Sequence, residues 1–196
     1  MALPRRAALL LPLLFSACTE APPPKSYPPL RYDYLTPIRL NVASIDIDQR
    51  FVPGGGPSDV SSIDPDPPVN ALRQMALDRL QAYGTSGRAV FVITDASMLR
   101  LEDGYQGNFA VQLDIYAADN TRAGFAEARA SAHRGYTEGE DQLDALYQLT
   151  KQLMDTMNVE FEYQVRRSLK DWLAPPPTSN PAPIQQQQLQ PPPPPS

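Results

Sequence analysis

Few side chains in this sequence have types and spacings suited to covalent or metal chemistry. There is one cysteine, Cys18, and one histidine, His133. A single thiol excludes an intramolecular disulfide. One imidazole without a cysteine or histidine companion is too few ligands for a four-coordinate zinc site, so His133 reads as a surface strand residue. Gly54-Gly55-Gly56 suggests a phosphate cradle, but no Gly-Lys-Ser/Thr follows and a P-loop is excluded. Asp64 and Asp66 lack the spacing of an EF-hand loop. Neither Gly-x-Ser-x-Gly nor His-Glu-x-x-His occurs. Glu138 and Glu140 could share acid–base work as a carboxylate pair, yet they fit better as capping and first-turn charge favoured by a helix dipole. The sequence thus offers no catalytic residue, no metal ligands and no cofactor motif, and the chain is expected not to be an enzyme.

What remains is Cys18 and its setting. Met1–Arg6 carries Arg5 and Arg6, an apolar run of about nine residues follows to Phe15, and Ser16-Ala17 precede the cysteine. A basic start, a short apolar stretch and small residues before a cut describe a secretory signal. The run is far short of the roughly 20 apolar residues that span a bilayer. Small residues directly before a lone cysteine resemble the bacterial lipobox, although Leu14 stands four residues before Cys18, where the usual pattern places leucine three before. The resemblance implies cleavage before Cys18 and addition of a diacylglycerol to its sulfur. Two or more acyl chains give stable anchoring at about 0.8 kcal/mol per buried methylene, whereas one gives marginal binding. Thr19, where lipoproteins of the enterobacterial type carry aspartate when retained in the inner membrane, implies the outer membrane, facing the periplasm.

The elements around this anchor divide the chain into four parts: a signal peptide over 1–17, lipidated Cys18 with a proline-rich spacer over 18–35, a globular domain over 36–173, and a disordered Pro/Gln-rich tail over 174–196. The 23 prolines crowd at the two ends and favour extended polyproline II there. With 42% hydrophobic residues the middle can bury a core. The formal net charge of −5 falls to about −7 once Arg5 and Arg6 are removed, which disfavours nucleic acid as a partner.

Within the middle, Ile38, Leu40 and Val42 alternate as a strand, and the apolar phase then slips by one to Ile45, Ile47 and Phe51. A bulge near Ala43-Ser44 would hold both sets on one face; a strand covered on both faces is the alternative. Asp66 caps and Pro67-Pro68 start a helix whose stripe, Val69, Leu72, Ala76, Leu80 and Tyr83, runs to Gly84. Arg73, Asp78 and Arg79 read as its solvated face. Residues 88–94 form a buried strand, 105–117 a cleanly alternating one, and Asp119-Asn120 a turn into a third, over 121–134. In that last strand Ala126, Ala128, Ala130 and Ala132 share a face, which leaves room for a helix to lie close. Thr137-Glu138-Gly139-Glu140 matches a capping box. Leu143, Leu146, Thr150, Leu153, Met157, Phe161, Val165, Leu169 and Trp172 extend a helical pattern over about 36 residues, roughly 54 Å. A helix that long either bends near Asn158 or projects its last turns. Projection would expose Phe161, Val165, Leu169 and Trp172 as a partner-docking edge.

These elements compose an α+β two-layer sandwich, β-α-β-β-β-α, with a four-stranded mainly antiparallel sheet and two helices on one face. Lipobox, size, element order and stretches such as Pro68-Val-Asn-Ala-Leu and Asp78-Arg-Leu-Gln-Ala-Tyr-Gly resemble a loose group of small envelope lipoproteins. These include uncharacterised alphaproteobacterial lipoproteins, the lipopolysaccharide-assembly lipoprotein and the auxiliary lipoproteins of ABC-type lipid transport. The resemblance covers about residues 36–173. It implies a membrane-anchored, non-catalytic accessory of envelope assembly or transport, with an envelope protein or a lipid as partner. The alternatives are a structural envelope link and a hydrolase acting on envelope material.

Overall fold

The computed structural model describes residues 25–174. Its elements are β1 (Ile38–Leu40), β2 (Ser44–Gln49), α1 (Pro68–Arg79), β3 (Leu80–Ala82), β4 (Arg88–Arg100), β5 (Gly104–Tyr116), β6 (Arg122–Gly135) and α2 (Gln142–Ser168), closed by a 3-10 turn at Lys170–Trp172. The main sheet has the order β2-β4-β5-β6; β2 runs parallel to β4, and the β4-β5 and β5-β6 pairs are antiparallel. A second, two-stranded parallel sheet joins β1 to β3. The architecture is the α+β arrangement expected, with α1 and α2 packed into one core with the main sheet.

The phase slip near Ala43 is not a bulge within one strand. The chain leaves β1, turns at Asn41–Ala43 with Val42 fully buried, and enters β2 in the other sheet. Each short strand then needs only its own local alternation. The bulge lies instead in β4, where the register with β5 shifts between Ile93 and Asp95. Ala89, Phe91 and Ile93 face the core before it, and Ala96 and Met98 face the core after it, so one extra residue keeps a 13-residue strand facing the same layer.

Both helix starts differ from expectation. Pro67 occupies the N-cap of α1, with no side-chain cap. The Asp66 carboxylate faces away and accepts the Leu30 N–H at 2.8 Å. α1 also stops at Arg79, because Leu80–Ala82 continue as β3, which leaves Tyr83 exposed. For α2 the capping box does not form. Gly139 has φ of 77°, which interrupts a helical run at that point, and the helix starts after Asp141. Glu140 pairs with Arg134 of β6 instead, at 2.5 Å.

α2 has 27 residues, about 40 Å at 1.5 Å per residue. It neither overshoots the sheet nor exposes an apolar end. Ala126, Ala128 and Ala130 are buried beneath it, as the alanine pattern required. Two glycines extend the seat. A methyl at Gly107 would overlap Leu153 Cδ1 and approach Met98 Sδ to 3.3 Å, and one at Gly124 would come within 2.8 Å of Leu169 Cδ2. Phe161 meets Phe91 edge to face at 5.5 Å. Gly107→Ala is expected to destabilise the fold by about 1–3 kcal/mol through overpacking. Leu153→Ala in the same chain should recover part of that loss, so urea unfolding of the two single variants and the double variant should give a non-additive cycle.

Candidate functional site

The most heavily built polar region lies where the N-terminal segment crosses α1 and α2. Residues 25–35, read from the sequence as part of a spacer, run along the body. Tyr32 is buried, and Leu30 and Leu35 pack against the core. Carboxylates of the body hold the backbone of this strap: Asp66 accepts from Leu30 N–H at 2.8 Å and Asp78 from Tyr32 N–H at 2.8 Å. Arg31 pairs with Asp78 at 3.0 Å, Lys25 pairs with Asp144, and Tyr27 donates to Asp144 at 2.7 Å. Tyr147 of α2 donates back to the Pro28 carbonyl at 2.8 Å. Burial pushes the Asp78 carboxyl upward, but hydrogen bonds from Arg31, the Tyr32 amide and Gln74 outweigh it and hold the group below the ordinary carboxylate range.

Beside the strap a cleft of about 290 Å³ opens between Tyr34, Leu35 and the middle of α2. Tyr34 and Val159 on its rim are each 73% exposed. Its floor holds Arg79, which the sequence placed on a solvated face. The correction is large, since Arg79 is 1% exposed. Its Nε donates to the Thr36 carbonyl at 3.2 Å, Nη1 to Asn158 Oδ1 at 2.9 Å, and Nη2 to Glu162 Oε2 at 2.5 Å. A guanidinium removed from water requires such partners, and a carbonyl, an amide and a carboxylate meet the fork from three directions. Arg166 also bonds Glu162, at 2.8 Å. Burial raises the Glu162 carboxyl, but the bonds from Arg166 and Arg79 lower it further than burial lifts it. Tyr34, Leu35 and Val159 give the cleft apolar walls, Asp155 adds an exposed carboxylate, and the Arg79–Glu162 pair forms its floor. Such a lining can hold a small amphipathic group.

A buried carboxylate stands close by in sequence to the strap's acceptors. Asp64 accepts from Thr150 Oγ1 of α2 at 2.6 Å and from the Asp66 amide at 3.0 Å. Burial dominates those bonds and lifts the Asp64 carboxyl to about 6, and it raises Asp66 as well. The Tyr32 phenol is raised by burial and by the charge of Asp66, and its hydroxyl has no hydrogen-bond partner among the described residues.

The residues singled out from sequence fall differently. Phe161 and Val165 are fully buried, Leu169 nearly so and Trp172 half-buried. Phe161, Val165 and Leu169 pack in the core between α2 and the sheet and so present no exposed edge, because the helix ends early enough to lie on its sheet; Trp172 follows in the 3-10 turn and packs part-buried against the same core. Cys18 lies outside the described residues. His133 sits exposed on β6, 3.2 Å from Asp103. Glu140 is tied to Arg134 while Glu138 is exposed. Among the described residues no acidic, histidine or cysteine cluster could hold a metal ion, and no helix is long and apolar enough to cross a membrane. Sequence reasoning missed Arg79 and the strap. Arg79 is the last residue of α1 and looks like ordinary C-terminal charge, and nothing in the alternation of 25–35 announces a docked segment.

The site and fold together define a two-layer α+β body with an N-terminal strap and a shallow cleft beside it. No family model matches the chain, and no curated protein matches it. Among solved structures it is similar to a Xanthomonas campestris protein of the DUF330 family. The TM-score is 0.35 and the identity 9%, with 73% of this chain and 94% of that chain covered.

Two outcomes are expected from this geometry. Because the folded Asp64 binds its proton more tightly than an unfolded aspartate, its contribution to stability grows as pH falls from above 6 towards 4, by up to about 3 kcal/mol. Asp64→Asn should remove that contribution, so its unfolding free energy relative to the parent should be most favourable at pH 7 and should fall away by pH 4. Glu162→Gln leaves the Arg79 charge without its carboxylate and should cost roughly 2 kcal/mol in chemical denaturation, discounted because Glu162 is itself part-exposed.

Proposed function

We propose that this chain is a membrane-anchored lipoprotein, acylated on Cys18, that serves as a non-catalytic accessory or binding component of cell-envelope assembly or transport. The observation that carries the reading is the docked strap. Residues from Lys25 onward are tied to the body by Asp144, Asp66 and Asp78, so the covalent distance from Cys18 to the first held residue is only seven peptide steps, at most roughly 25 Å. A body held so near an acylated cysteine stays within reach of a bilayer surface, and the strap transmits that tether into α1 and α2. The outer membrane, on its periplasmic side, is the location that Thr19 favours.

The cleft beside the strap is the binding surface for this role. Its apolar rim at Tyr34 and Val159 suits an acyl chain or an apolar side chain of an envelope protein. Resemblance in element order to the lipid-transport auxiliary lipoproteins supports the same assignment.

The anchor is tested by mass and by partition. The mature protein should carry the added mass of acyl chains on Cys18 and enter the detergent phase, while Cys18→Ser should accumulate in the aqueous periplasmic fraction. An unmodified Cys18 on a soluble species would remove the anchor from the proposal. A photo-crosslinker at Val159 should capture one dominant envelope protein or lipid in cells, and Tyr34→Ala should reduce that capture several-fold. Capture of abundant neighbours alone, indifferent to Tyr34, would end the accessory reading.

A further inference from the structure

The two edges of the main sheet are unlike. β2 is six residues long and carries Asp46 and Asp48, the short, charged form in which edges are commonly protected. β6 is 14 residues long, contains no proline, and keeps an unbroken register with β5 from Gly124 to Gly135. On its other side, none of its backbone groups from 124 to 134 has a backbone partner among the described residues. It carries charges on its solvent face, Glu127 and Arg129 among them, but neither shortness nor an inward-pointing charge closes it. Its helix-facing side chains are alanines rather than inward-pointing charges, and its only register shift lies at the turn end, between Ile115 and Tyr116 of β5. Such an edge is a template for another strand.

We propose that the β6 edge pairs with the β6 edge of a second copy of this chain, antiparallel and with Ala128 opposite Ala128. The charge pattern selects this partner and register. Glu127 and Arg129 lie on the solvent face of β6, with side chains 47% and 79% exposed and 3.9 Å apart at their closest charged atoms. Pairing about Ala128 places Glu127 opposite the second copy's arginine at 129, and Arg129 opposite its glutamate at 127, giving two cross-strand ion pairs. On the face beneath α2, Ala126 meets alanine 130 and Ala128 meets itself, so the strand's own side chains there are small; on the solvent face Phe125 falls opposite serine 131. The pairing runs from 124 to 132 and stops short of Arg122 and Arg134. Those arginines are already committed to Asp114 and Glu140, each at 2.5 Å. A shift of register by two residues in either direction breaks both ion pairs, which makes this alignment the favoured one. The assembly would be a closed, two-fold dimer with a continuous eight-stranded sheet.

The test is sedimentation equilibrium of the full chain in density-matched detergent. The parent should sediment as a dimer. Glu127→Arg sets like charges opposite one another at both symmetry-related sites, as does Arg129→Glu, and each should weaken the dimer at least about tenfold. The exchange Glu127→Arg/Arg129→Glu restores opposite charges in the same register and should restore dimerisation. Both positions are exposed, so the circular dichroism spectrum should be unchanged and melting should fall only by the stabilisation that dimerisation supplies, which shows that a loss of mass does not reflect unfolding. A monomeric parent overturns the proposal and leaves the edge to a strand from a different protein. A dimer indifferent to the single reversals, or one that the exchange fails to restore, overturns it equally.

Discussion

A long helix packs on a sheet only where small side chains let the two backbones approach, and this protein is arranged around one such place. Ala126, Ala128 and Ala130 of β6, with Gly107 of β5 and Gly124 at the start of β6, form a shallow seat for α2. Once α2 is seated, Leu153, Met157, Phe161 and Val165 have no other place than the core. The rotation of the helix is then fixed. Thr150 meets Asp64, Asn158 and Glu162 meet Arg79, and Val159 faces solvent. The cleft is a consequence of that rotation as much as of the residues that line it.

Charge placement follows the same constraint. The body is acidic, and two of its carboxylates, Asp66 and Asp78, accept from backbone amides of the strap, Asp78 while also pairing with Arg31. Hydrogen bonds of this kind to a charged acceptor are worth more than neutral ones, and they add to the packing of Leu30, Tyr32 and Leu35 in holding the segment docked. Burial raises two of the acids alike, and their partners decide the outcome. Asp78 gains Arg31 and stays easily ionised, while Asp64, with a hydroxyl and an amide but no cation bonded to it, is lifted to about 6. Arg79 shows the third case, a buried cation whose cost is offset by partners from the strap side and from α2.

Taken with the anchor proposed at Cys18, these features suit the tethered accessory proposed above. The strap lies against the helical layer, the cleft opens beside the strap, and the β6 edge lies at the far side of the sheet from β2. A lipid or protein in the cleft and a second copy at the edge would occupy different parts of the molecule and could be present together.

The sequence by itself determined the layers. Period-two alternation in β5, the alanine stripe of β6 and the apolar repeat of α2 are local patterns whose meaning depends only on side-chain direction along a strand or helix, and they gave the α+β sandwich and the face that α2 covers. Only the tertiary structure decided where those patterns break. The slip at Ala43 is the passage between two sheets, which no single-strand pattern can distinguish from a bulge. The true bulge in β4 hides inside a continuous apolar run. Arg79 and the strap were illegible because their partners, Glu162, Asn158, Asp66 and Asp78, lie between about 36 and 83 residues away in the chain. A charge has no periodicity to announce that it will be buried; it is buried because packing elsewhere leaves it a place with acceptors on three sides.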